Sequence, residues 1–223
     1  MTSKERFDSF WADVILSDFP DAKIVYKTDS KLMKFLHYSL FWIFNPTFMT
    51  NYITVIGTTV YLPSKKQHEE TYESLISVLA HEYIHMCDFR DGKSSVLYPA
   101  PQLFALMSLG SIAAIWNLWA LLGLAFLLFL IPGIPSPWRT DIEGNGYVMT
   151  MFYKRWFVEH YNTEYVPARH AAALSEQFTG SMYYYMCRNK EKVIKMLLER
   201  YETLPKTHKG FKKVEEWLKI HLS

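Results

Sequence analysis

HEYIHMCDFRDG, residues 81–92, carries two histidines four apart with a glutamate beside the first. On a helix, residues four apart share a face, so His81 and His85 direct their rings at one point and Glu82 lies beside them. Tyr72, Leu75, Ile76, Leu79, Tyr83 and Met86 recur at spacings of three and four, which predicts a helix from about Gln67 to Arg90. Asp91-Gly92 ends it, and Glu69 and Glu70 in its first turn suit the helix dipole. Two neutral imidazoles plus a carboxylate suit Zn2+, with room left for a water whose proton Glu82 would accept as general base. The competing reading is a helix end that carries two histidines by accident. A β-branched stretch before the helix and acidic residues after it argue for the metal.

Working outward, residues 4–17 read as a helix, with Phe7, Phe10, Trp11 and Val14 on one side. AKIVYK, 22–27, reads as a short strand, and LMKFLHYSLFWIF, 32–44, as an apolar, aromatic helix stopped before Asn45-Pro46. NYITVIGTTVYLP, 51–63, is β-branched and broken by Gly57, which predicts two short strands or one bulged strand. Further helices are predicted over 140–160, 168–188, 190–202 and 209–221. No linker divides the chain, so 1–223 reads as one domain. The expected class is α+β, mainly helical, with a small antiparallel sheet before the histidine-bearing helix.

The formal charge is +2 and both signs are mixed along the chain, which leaves no footprint for nucleic acid. Cys87 and Cys187 are far apart, against a disulfide framework and in keeping with a reducing compartment. MTSKERFDSFW has no apolar core of signal-peptide length, so no export is expected.

A catalytic zinc needs a third protein ligand. PWRTDIEGNGYVMTMFYKR, 137–155, offers Glu143 on a predicted helix, with Arg139 four residues before it. Asp91, six residues after His85, and Asp141, on the same helix as Glu143, are the rivals. HExxH followed by a hydrophobic segment and an Arg-x-x-x-Glu helix resembles the gluzincin branch of the zincin metallopeptidases. More narrowly it is similar to a reduced version of HtpX-type and prenyl-protein-processing membrane peptidases, and to compact metallopeptidases of phages and bacteria. The resemblance covers about residues 50–160 and implies a zincin-like fold. Its zinc would be held by His81, His85 and Glu143, with an edge strand within 52–63 aligning an extended peptide. It departs at Tyr147, where the larger family has Asp, so support for the histidines is left unassigned and Asp88 is offered for it. Tyr147 or His160 is the expected carbonyl-polarising residue.

Between Lys93 and Arg139 there is no Asp, Glu, Lys or Arg, and residues 103–131 are apolar almost throughout. A single spanning helix would put His85 and Glu143 on opposite sides of a membrane. A helical hairpin over 102–131 avoids this. Its arms, about 20 Å each, are too short for about 30 Å of hydrocarbon, so it would dip into one leaflet or else pack in a protein interface or core. Aromatic residues are 17% of the chain and cluster beside these apolar runs, as rings do at membrane surfaces. The expectation is therefore a zinc metalloendopeptidase on the cytoplasmic face of a membrane, acting on membrane-proximal polypeptides. The alternatives are a non-catalytic membrane-interaction protein with a structural or vestigial zinc site, and a zinc hydrolase of non-peptide amides.

Overall fold

The computed structural model describes residues 1–38, 47–92, 136–180 and 185–222. Among them the chain is mainly helical with one small sheet. The expected hairpin at 102–131 and the second half of the helix expected at 32–44 lie outside the described residues.

The first helix, α1 (Ser3–Ser9), begins at a capping box in which Thr2 accepts from the Glu5 amide and Glu5 accepts from the Thr2 amide. It continues as π-helical turns over Phe10–Leu16, which bury Phe10, Val14 and Ile15. Strand β1 (Lys23–Tyr26) and a short helix α2 (Lys31–Leu36) follow. After α3 (Phe48–Asn51), the β-branched stretch forms a hairpin of β2 (Thr54–Ile56) and β3 (Thr59–Leu62). The turn is Gly57-Thr58, and Gly57 sits at φ +60°, a backbone conformation that glycine adopts without steric cost.

The expected all-antiparallel sheet is corrected to a mixed one in the order β1-β3-β2. β3 pairs antiparallel with β2 but parallel with β1, Lys23 opposite Thr59 and Tyr26 opposite Leu62. A four-residue strand carries no pattern that states its direction of pairing. β2, not the whole of 52–63, is thus an edge of the sheet.

The histidine-bearing helix is shorter than expected at its start. A separate α4 (Lys65–Glu70) holds Glu69 and Glu70, Thr71 breaks the run, and α5 (Tyr72–Arg90) begins with Glu73 in its first turn. That glutamate forms an ion pair with Arg6 at 2.6 Å, which ties α1 to the start of α5. Gly92, at φ +73°, follows the helix end, and its amide bonds to the Phe89 carbonyl.

Beyond the undescribed residues come α6 (Pro137–His160), α7 (Pro167–Thr179), α8 (Lys190–Thr207) and α9 (Lys209–His221). Ser136 caps α6, with Pro137 in the first turn, where a missing N–H costs nothing. The helix expected over 168–188 ends at Thr179, and the chain returns so that the Cys187 amide bonds to the Phe178 carbonyl.

α5 is buried on most sides because α1, α6 and α9 all pack on it, its contact with α6 being the most extensive between any two elements. Leu75, Ile76, Leu79, Ala80, Tyr83, Ile84, Met86 and Cys87 enter the core from α5. Val148, Met149, Met151 and Phe152 enter from α6, and Phe211, Val214, Trp217 and Leu218 from α9. A helix with so broad an apolar surface is a central element, and any polar group on it must find a partner or a function.

Candidate metal centre

Three polar side chains from α5 and α6 meet inside this core. His81 Nε2 is 2.9 Å from His85 Nε2, and Glu143 Oε2 lies 3.5 Å from the first and 3.7 Å from the second. Among the described residues this is the group of His, Cys, Asp and Glu whose donor atoms converge closely enough to hold a metal ion. Zinc bonds of about 2.0–2.1 Å in a tetrahedron put ligand atoms about 3.3 Å apart, so the observed spacings fit. The donor set, two imidazole nitrogens and one carboxylate, suits zinc as well.

The electrostatics agree with the geometry. Burial pushes the Glu143 carboxyl up, but the His81 and His85 imidazoles beside it outweigh that and hold the group well below the usual carboxylate range. Burial lowers the His85 imidazole, yet the Glu143 hydrogen bond and charge win and leave it raised. Glu82 is not one of the converging groups. Its carboxyl is raised, by burial first, while His85, His81 and Lys27 pull it down and Glu143 pushes it up. It therefore lies in the field of the cluster as a base with increased proton affinity.

α6 shapes the other wall. Glu143, Gly146, Tyr147 and Thr150 fall at 0, 3, 4 and 7, so one face of one helix meets the histidines. An ideal Cβ on Gly146 would stand 2.5 Å from His81 Nε2 and 2.7 Å from Cδ2 and Cε1, so only glycine leaves room for the ring. Tyr147 stands edge-on to His81, centroids 4.8 Å apart, and packs on Phe178. Thr150 Oγ1 is 3.2 Å from His81 Nδ1.

The remaining expected residues lie elsewhere. His160 is seventeen residues along α6 from Glu143, about 25 Å at 1.5 Å per residue, and its Nδ1 donates to the Leu222 carbonyl at 2.6 Å. It is not part of the cluster. Asp91 caps α5 beside Arg90, and Asp141 forms an ion pair with Arg200. Of the three ligand candidates, Glu143 alone joins the histidines. Asp88 accepts from Asn145 at 2.8 Å and pairs with His208 at 3.2 Å; Arg200 in turn donates to Asn145. His208 Nδ1 accepts from the Gly210 amide, so its Nε2 donates to Asp88, and this network fastens α6, α8 and α9 to the histidine-bearing helix.

Sequence reasoning did not single out Lys27. It is fully buried, donates to the Phe48 carbonyl at 2.7 Å and lies 3.9 Å above the Phe48 ring. Burial lowers its pKa to about 7 from an ordinary 10.5, against an opposing pull from Glu82. Below pH 7 both folded and unfolded chains carry this proton and the folded state bears the full burial penalty. Between pH 7 and 10.5 the unfolded chain binds more protons, so stability rises with pH; above that range the two states again match. The stability of Lys27→Met minus wild type is therefore expected to fall as pH rises from 6.5 to 9.5. Urea unfolding across that range checks this, and a constant difference would contradict it.

A scan against family models and searches of curated proteins and of solved structures find no match.

Proposed function

We propose that this chain is a zinc-dependent metallopeptidase in which His81, His85 and Glu143 hold the ion and Glu82 is the general base. The observation that carries the reading is the convergence of three donors, His81 and Glu143 buried and His85 partly so, from two core helices at a spacing that suits tetrahedral coordination. An ion between them would satisfy the lone pairs of both imidazoles and the carboxylate at once. When bound, the ion supplies Lewis acidity to the substrate carbonyl and acidity to water.

The chain's own groups do the rest. Glu82 takes the proton of the attacking water and delivers it to the leaving amine, and its raised proton affinity suits both transfers. Tyr147, beside His81, is the group we place against the carbonyl oxygen; His160 is too distant for that role. Strand β2, at an edge of the sheet among the described residues, would align an extended peptide by strand addition.

We further place this activity at a membrane surface. No Asp, Glu, Lys or Arg occurs between Lys93 and Arg139, and the two helices flanking this stretch share one cluster, so its ends lie together. α2 and the residues just after it present Leu32, Phe35 and Tyr38, spaced by three and exposed, beside Lys31 and Lys34. Aromatic and basic residues on one short helix suit an anionic lipid interface. Among the described residues no helix is long and apolar enough to cross a membrane. The expected result is recovery with membranes, released by detergent but not by salt alone; recovery wholly in the soluble fraction would count against this placement.

Peptide hydrolysis tests the activity. Purified chain should cleave a peptide library, lose the activity to a chelator and regain it with added zinc. Zinc binding without cleavage of any peptide would leave a structural metal in a membrane-interaction protein.

A further inference from the structure

We propose that Thr150 fixes the tautomer and orientation of the His81 ring, and through it the affinity of the cluster for its ion. This rests on the metal reading of His81, His85 and Glu143. A ligand imidazole needs the lone pair of its coordinating nitrogen free, so its proton must sit on the other nitrogen and find an acceptor. His81 directs Nε2 at His85 and Glu143, which leaves Nδ1 as the nitrogen to be anchored.

Thr150 has the chemistry to do this. A hydroxyl carries one proton and two lone pairs. Thr150 Oγ1 lies 3.3 Å from the Gly146 carbonyl one turn back, and that carbonyl can only accept, so the hydroxyl proton goes there. Its lone pairs then face His81 Nδ1 at 3.2 Å, and Nδ1–H must be the donor. The bond back to the preceding turn is common for a threonine within a helix. What is specific here is the second contact, to a ligand ring on another helix 69 positions away in sequence. Glycine at 146 and the edge-on Tyr147 then leave the ring little room to turn.

The two histidines are consequently unequal. His85 Nδ1 is buried with no hydrogen-bond partner among the described residues. Asp88, which the sequence offered for this support, is bonded to Asn145 and His208. His81 is thus the pre-oriented ligand of the pair, and Thr150 is a positioning residue that acts only through it.

The test compares the full-length wild type with Thr150→Val, which keeps the shape and removes the hydroxyl, and with Thr150→Ser, which restores it. Competition titration with zinc is expected to give a Kd for Thr150→Val about 10- to 100-fold weaker, with Thr150→Ser near wild type. Thermal unfolding of the metal-free proteins should not separate Thr150→Val from wild type by enough to explain that loss. NMR of the metal-free histidine rings should show a slowly exchanging His81 Nδ1 proton in wild type and Thr150→Ser that exchanges faster in Thr150→Val. Equal zinc affinity of wild type and Thr150→Val, or a His81 Nδ1 proton indifferent to the substitution, overturns the proposal. A wild type that binds no zinc sinks the metal reading separately, and the Nδ1 proton then decides Thr150 by itself.

Discussion

Glu82→Gln is expected to lower peptide hydrolysis by about 10²- to 10⁴-fold while leaving bound zinc in place. Glutamine keeps the size of the side chain and its capacity to hydrogen-bond, but it cannot take a proton from water. Glu82 does not join the three donors that converge, so the substitution leaves the ligand set of His81, His85 and Glu143 intact. It does remove one negative charge from beside His85, whose imidazole Glu82 helps to raise. The loss should therefore fall on kcat, with substrate KM little changed, because the proton transfer belongs to the transition state. Steady-state kinetics beside elemental analysis of the same preparations checks both halves. Full activity in Glu82→Gln would remove the general base from the account, whatever the metal content.

Gly146→Ala should abolish zinc binding at micromolar concentrations through a single methyl group. The new Cβ would overlap three atoms of the His81 ring, two of them at 2.7 Å and Nε2 at 2.5 Å. Overpacking of this kind costs about 1–3 kcal/mol when the surroundings strain to accept it. The ring has little freedom to strain: Tyr147 packs on it, Thr150 holds Nδ1, and α5 and α6 are both locked into the core. The cheapest escape is for His81 to leave the cluster, which removes one of three ligands. We expect a folded chain by circular dichroism, a modest decrease in Tm and no bound zinc. Wild-type zinc content in Gly146→Ala would mean that α5 and α6 are not as close as described.

Much of this site was legible before the structure. His81, Glu82 and His85 followed from the fixed angle between successive residues on a helix, and the burial of α5 from the spacing of Leu75, Ile76, Leu79 and Tyr83. Glu143 could be named because a carboxylate on a helix after the motif is what the chemistry needs, but its preference over Asp91 and Asp141 required three dimensions. Arg90 beside Asp91 and Arg200 beside Asp141 give those rivals ordinary ion pairs. Gly146 and Thr150 were within reach, since 143, 146, 147 and 150 describe one helical face.

Other features were not readable from local pattern. Lys27 closes a strand-like run, where a lysine ordinarily faces solvent; its burial depends on Phe48, twenty-one residues later. The parallel pairing of β1 with β3 likewise joins strands more than thirty residues apart, which no local pattern specifies. Asp88 lies one turn beyond His85, which makes it a candidate support for the histidines. The packing of α9 instead brings His208 to it, a contact across 120 residues that no spacing rule anticipates. His160 was misplaced for the opposite reason: it shares a helix with Glu143, but at 1.5 Å per residue a shared helix is not a shared site.

Zinc stoichiometry by elemental analysis of the purified chain, beside His85→Ala, Glu143→Ala and Asp91→Ala, decides whether the three side chains hold an ion. One ion per chain is expected, lost in His85→Ala and Glu143→Ala and retained in Asp91→Ala. A wild type that takes up no zinc after reconstitution, or a Glu143→Ala that keeps a full ion, would contradict it.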